Sequence, residues 1–176
     1  MKIAKQLIVI FFIAAFVSVA AFDRKSSSNT AEKTKIVADK VLVEKALRQL
    51  TLSQNGKSIK TYKVALGKNP MGPKVQKGDG RTPEGIYSID GRNPNGAFHL
   101  ALHISYPNAA DKARAESLGV PPGGDIMIHG IKNGLGWLGS LHRLSDWTQG
   151  CIAVTNTEIE EIWKMVPNGT VVEIVP

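Results

Sequence analysis

The sequence predicts a mainly β domain with few helices, on three observations. Short runs of alternating or β-branched residues recur from residue 36 onward. Asn55-Gly56 lies between two of those runs, where positive φ at both residues makes a tight hairpin turn. Only two stretches carry helical spacing with start or stop signals, and strands in series with so few helices define a β-rich fold.

Taken in order, Val41-Leu42-Val43 and Leu50-Thr51-Leu52 are short β-prone runs, and Asn55-Gly56 leads into Ile59 to Leu66. The domain therefore opens as antiparallel sheet. Gly67 to Gly85 holds repeated Gly and Pro with Lys68, Lys74, Lys77 and Arg81, the composition of a long loop, functional or mobile. Its cations are either solvated or placed to attract acidic glycopeptide. Gly85 to Ile89 reads as a strand, and Phe98 to Ile104 as another with Phe98, Leu100, Leu102 and Ile104 on one face.

Ala109 to Leu118 is a short helix stopped by Gly119, Pro121 and Pro122. Asp125 to His129 is a strand, and Ile131 to Gln149 a second glycine-rich loop. Thr155-Asn156-Thr157-Glu158 has capping-box spacing, followed by Ile159, Ile162, Trp163 and Val166 on one helical face. Pro167-Asn168-Gly169 ends that helix before a last strand, Thr170 to Val175.

Residues 1–20 read as a secretory signal peptide or an N-terminal membrane anchor: Lys2 and Lys5 precede an apolar run from Leu7, with small residues through Ala20-Ala21. Residues 21–35 are a flexible linker, polar with almost no apolar residues from Asp23 onward, and residues 36–176 a single domain. Export to the periplasm or cell envelope follows from this reading. The net charge is +7, and removal of residues 1–20 takes two lysines and leaves +5. That balance suits anionic envelope polymers or lipid head groups, or serves solubility alone. No basic cluster interleaves with aromatics, which argues against nucleic acid.

Cys151 is the single cysteine, and in an oxidising compartment it has no partner for an internal disulfide. That favours a nucleophile over a staple. A redox role is weaker, because no second cysteine resolves a sulfenic acid. A thiol nucleophile needs a base and a site for the developing oxyanion. Gly150 allows a tight turn that presents the Gly150 and Cys151 amides as an oxyanion hole, and the apolar run Ile126 to Ile128 delivers His129 at a loop edge before Gly130. His142, nine residues before the cysteine, is the rival base. His99 and His103 make a poor metal pair, since residues four apart on a strand lie about 13 Å apart. Trp137 and Trp147 either wall a substrate groove or anchor the loop.

His129-Gly130 followed by Thr148-Gln149-Gly150-Cys151, with Thr82-Pro83-Glu84-Gly85 upstream, resembles the L,D-transpeptidase catalytic domain, or YkuD-type, family. The closing helix and the Pro167 to Val171 turn are also similar, so the resemblance runs from about Asp39 to Val175. It implies a β-sandwich or barrel with one or two short helices, acting without metal or organic cofactor on peptidoglycan stem peptides. Cys151 would be nucleophile and His129 base. The cysteine would attack the carbonyl of the diamino acid at stem position three, expel D-alanine, and pass the acyl group to an amine on another stem or on a wall-attached protein.

This sequence departs from the family pattern in three places. Gln149 stands where many members have His or Lys, Ala153 where Arg or Asn usually follows the cysteine by two, and the segment between His129 and Cys151 is longer than usual. Arg143 is the expected substitute for the missing arginine, with Thr148, Trp137 and Trp147 as further substrate contacts. Transfer, hydrolysis by a carboxypeptidase or crosslink-cleaving relative, and an inactive wall-binding module remain the alternatives.

Overall fold

In a computed structural model, residues 36–176 of the chain are described. The leader or anchor expected over 1–20 and the linker expected over 21–35 lie outside them. Eight strands form one sheet: β1 Lys40–Glu44, β2 Gln49–Gln54, β3 Lys57–Lys63, β4 Gly85–Asn93, β5 Ala101–Ile104, β6 Met127–His129, β7 Ile152–Ala153 and β8 Val171–Val175, in the order β3-β2-β1-β8-β4-β5-β6-β7. Two α-helices, α1 Ala109–Ser117 and α2 Asn156–Met165, and a 3₁₀ segment Gly136–Leu144 complete it. The mainly β fold is as the sequence predicts.

The antiparallel hairpin β2–β3 turns at Asn55 (φ 51°) and Gly56 (φ 74°), the two positive values that a type I′ turn demands. β8 then enters between β1, to which it is parallel, and β4, to which it is antiparallel. Its alternation places Val172 and Ile174 in the core opposite Val41 and Val43, all essentially inaccessible. Each such side chain contributes about 1.5–3 kcal/mol of burial. α2 covers this core with Ile159, Ile162 and Val166, and its capping box is formed by Thr155 and Glu158 as expected.

β4 pairs with β8 over Gly85–Ser88 and with β5 from Ile89 onward, with an irregularity between Ile89 and Gly91. That change of partner bends the sheet. The stretch following β3 bridges back to the far edge, Ala65 to Ala153 and Gly67 to Thr148, so the sheet curls into a half-barrel whose two ends meet beside Cys151.

Several element boundaries differ from expectation. The strand expected from Phe98 begins at Ala101, because Phe98 makes only one bridge, to Lys132, and packs against a histidine instead. β7 is two residues long and has no periodicity to reveal it. The loop from Ile131 to Gln149 contains the 3₁₀ segment, kinked at Gly139 (φ 49°, ψ −129°). The loop after β3 is tied down: buried Lys45 donates to the Gly72 and Thr82 carbonyls and pairs with Glu84 at 2.7 Å. Asp79 accepts from Lys74 and from the amides of Val75, Gln76 and Arg81.

Candidate active site

β6 and β7 run parallel with His129 opposite Ala153, and Cys151 precedes Ala153 by two residues. Side chains alternate along strands, so this register sets His129 and Cys151 on one face. Both line a cavity of about 300 Å³ walled by Asn93, Ala97, Phe98 and Met127. The two residues 22 apart in sequence are thus brought to one site, and His142 does not line it.

His129 is 1% exposed, and its Nδ1 lies 2.6 Å from the Gly130 carbonyl oxygen. A carbonyl only accepts, so Nδ1 carries the proton and Nε2 keeps its lone pair. Phe98 packs on the ring at 4.0 Å between centroids, and Trp147 meets it edge-on at 5.8 Å. Burial pushes the His129 pKa below the ordinary histidine value, with the Gly130 bond opposing, so the ring is neutral at pH 7. Gly130 has a second role: a Cβ there would lie 2.9 Å from both Asn156 Oδ1 and Ile159 Cγ2, so only glycine lets α2 approach.

The Cys151 thiol is half-buried and donates to the Asp125 carbonyl at 3.5 Å. Asp125 adopts φ 57°, a left-handed conformation that only Asn, Asp and Gly visit readily. Burial raises the Cys151 pKa, the Asp125 charge adds to this, and the Met127 N–H and Lys74 oppose it. The resting pair is therefore thiol and neutral imidazole.

Gly150 has φ 130°, and a Cβ there would lie 2.5 Å from the Arg81 carbonyl oxygen. Gly67 is equally confined, with a Cβ 2.2 Å from the Gly80 oxygen and 3.1 Å from Gly150 Cα. Bare backbone is packed against bare backbone beside Cys151.

Four of the expected site groups have the following contacts or exposure within the chain. The Gly150 amide is not open to an oxyanion, because it donates to Thr148 Oγ1 at 3.1 Å. Thr148 is buried and its hydroxyl donates to the Cys151 carbonyl at 2.8 Å, so it braces the turn. Arg143 is held by Glu158, 3.1 Å to each carboxylate oxygen, and donates to the Lys63 carbonyl; its carboxylate partner is its own chain's. Trp137 is 76% exposed and lies outside the cavity.

Trp147 packs against the candidate base, and its Nε1–H donates to His142 Nδ1 at 3.4 Å. Burial, then the Arg143 charge, lowers the His142 pKa to about 4. His142 serves as a support for Trp147. His99 pairs with Glu160 and His103 with Asp90, and among the described residues no group of three His, Cys, Asp or Glu could hold a metal ion. Sequence reasoning missed Phe98 as the stacking partner and Asp125 as the thiol's acceptor. Neither has a local signal, since both depend on pairings across the sheet.

The family model described as the L,D-transpeptidase catalytic domain (YkuD) matches residues 38–174. The chain belongs to the L,D-transpeptidase catalytic domain family. YafK of Escherichia coli (strain K12) is 32% identical over 114 residues, 63% of this chain and 38% of that protein. The helical cell shape determining protein Pgp2 from Campylobacter jejuni is similar in structure, with TM-score 0.59 and 26% identity over 78% of this chain and 47% of that one. An L,D-transpeptidase from Mycobacterium smegmatis shares the fold, with TM-score 0.54, 13% identity and coverage of 79% and 59%. The chain thus spans less than half the length of YafK or Pgp2.

Within this L,D-transpeptidase family frame, the departures acquire positions. Ala153 is fully buried between β6 and Ala65, Gln149 is exposed beside Lys74 and Lys77, and the segment between His129 and Cys151 contains the 3₁₀ segment.

Proposed function

We propose that this domain is a cysteine acyltransferase of the bacterial envelope acting on peptidoglycan stem peptides. The observation that carries the reading is the shared cavity: a thiol and an imidazole whose Nδ1–H is fixed on the Gly130 carbonyl, leaving Nε2 as the only ring acceptor. Membership of the L,D-transpeptidase family and the likeness to a cell-shape protein support the substrate class.

In the first half-reaction His129 Nε2 takes the Cys151 proton as sulfur attacks a stem-peptide carbonyl. The tetrahedral oxyanion is met by the Cys151 N–H, since Gly150 is committed to Thr148. Collapse breaks the carbon–nitrogen bond, the imidazolium returns the proton to the leaving amine, and a thioester remains. In the second half an amine attacks the thioester, His129 accepts its proton, and the thiol is restored as the new amide forms. Water in place of the amine gives a trimmed stem or a released crosslink. The acceptor is a second stem or a wall-attached protein.

Purified stem-peptide fragments incubated with the protein, with products read by mass, test the reading. Dimers joined between two diamino acids, or trimmed monomers, support a cysteine acyl enzyme and name its acceptor. No product, together with no carbapenem adduct on Cys151, would make the domain a wall-binding module.

A further inference from the structure

The 3₁₀ segment and the residue before it carry an apolar face turned to solvent. Leu135 and Leu141 are exposed, and Trp137 and Leu144 are 76% and 84% exposed. These side chains are not scattered: Leu135 and Leu141 both line one apolar cavity of about 340 Å³, together with Ile131, Leu138 and Trp147. Single exposed leucines are ordinary on a protein surface, whereas a contiguous apolar patch marks a place where another apolar phase is met.

The backbone holds this face outward. Gly136 presses on the start of α2, where a Cβ would lie 2.7 Å from Asn156 Nδ2. The Leu138 amide donates to the Leu135 carbonyl at 3.0 Å, Gly139 turns the chain at φ 49°, and Arg143 ties the far end to Glu158 and to the Lys63 carbonyl. A segment fixed in this way loses little conformational freedom when its side chains dock.

Charge around the face has one sign. From Ile131 to Ser145 the chain has no Asp or Glu. The carboxylates that border this stretch are neutralised within the domain, Asp146 by Arg48 at 2.8 Å and Glu158 by Arg143 at 3.1 Å. Lys132 and Lys63 are exposed, and the Lys63 ammonium is bonded only to the carbonyl of Leu47, itself an exposed leucine. We propose that this face docks on an anionic phospholipid surface, with Trp137 and Leu144 at the boundary of headgroups and acyl chains and the two lysines on lipid phosphates. Tryptophan and leucine flanked by lysines, without carboxylates, form the composition that partitions into a bilayer interface. A second protein fits less well, since a stable interface takes about 20–30 residues a side and this face offers far fewer. Docking needs no catalysis. Because Trp147 lines the apolar cavity and packs on His129, it sets the candidate pair beside the membrane.

The test uses the full chain with vesicles of phosphatidylethanolamine and phosphatidylglycerol whose acyl chains carry bromine, and reads the quenching of tryptophan fluorescence. Any attachment through residues 1–35 brings the chain near the bilayer without inserting Trp137, so this readout is indifferent to it. The parent is expected to be quenched, and Trp137→Phe to lose most of that quenching. Leu144→Ser should shift the docking equilibrium about tenfold towards the unquenched state. Replacing phosphatidylglycerol by phosphatidylcholine, or raising sodium chloride to about 0.5 M, should weaken quenching because the lysine contacts are lost or screened. Both substituted side chains are exposed, so thermal midpoints near that of the parent show that the variants fold. No quenching in the parent, or quenching undiminished in Trp137→Phe, would overturn the proposal. So would a dimer in sedimentation that Trp137→Ser dissolves, since the face would then belong to a second copy of the chain.

Discussion

A neutral imidazole beside a protonated thiol sets how this site responds to pH. Burial lowers the His129 pKa and raises that of Cys151, so no thiolate–imidazolium pair exists at rest. Alkylation of Cys151 by iodoacetamide should therefore accelerate only above the ordinary thiol range, about pH 8.5, with no acidic shoulder. A fast phase near pH 5 would reveal a resting ion pair instead. Substrate acylation also rises with pH but over a lower range, since it needs only unprotonated His129 and should be lost as pH falls below the ordinary histidine range. Arg143 illustrates a residue whose type suggested one role and whose contacts give another. Its two bonds to Glu158 and one to Lys63 pin the 3₁₀ segment to α2 and β3. Arg143→Ala should lower stability by about 2 kcal/mol, read by urea denaturation, without changing KM. A raised KM at unchanged stability would restore it to substrate binding.

The element that most constrains the site is the turn from Thr148 to Cys151. Thr148 bonds the Gly150 amide and the Cys151 carbonyl, and Gly150 passes within contact of the Arg81 backbone. Gly150→Ala should cost about 3 kcal/mol or more, because it meets both an unfavourable φ and a backbone oxygen 2.5 Å away. A thermal midpoint within a degree or two of the parent would contradict this. Much at this scale is legible in the sequence. Asn55-Gly56 announces its hairpin, Thr155 and Glu158 their capping box, and Gly150-Cys151 its turn, because each depends on residues a few positions apart. The 3₁₀ segment was hidden by its glycines and the two-residue β7 by its length. The partners of Arg143 and Thr148, Glu158 and the turn's own backbone, are chosen by tertiary contacts that no local pattern encodes.

At the scale of the whole molecule, β8 joins what would otherwise be two sheets. Entering parallel to β1 and antiparallel to β4, it ties the opening hairpin to the strands that carry His129 and Cys151. Ile174→Ala, in a fully packed position on β8, should cost about 2–5 kcal/mol, whereas Val171→Ala, 42% exposed, should cost little. Similar losses from both would mean that β8 is not the seam. The curled sheet brings its two ends together at residues 65–67 and 148–153, so that His129 at the end of β6 and Cys151 line one cavity. The most direct measurement of that arrangement is the rate of acyl-enzyme formation at Cys151, followed by intact mass, in the parent, His129→Ala and His142→Asn. His129→Ala is predicted to slow acylation about a hundredfold or more, and His142→Asn, which keeps an acceptor for the Trp147 indole, to leave it nearly unchanged. Abolition of acylation by His142→Asn alone would contradict the assignment of the base.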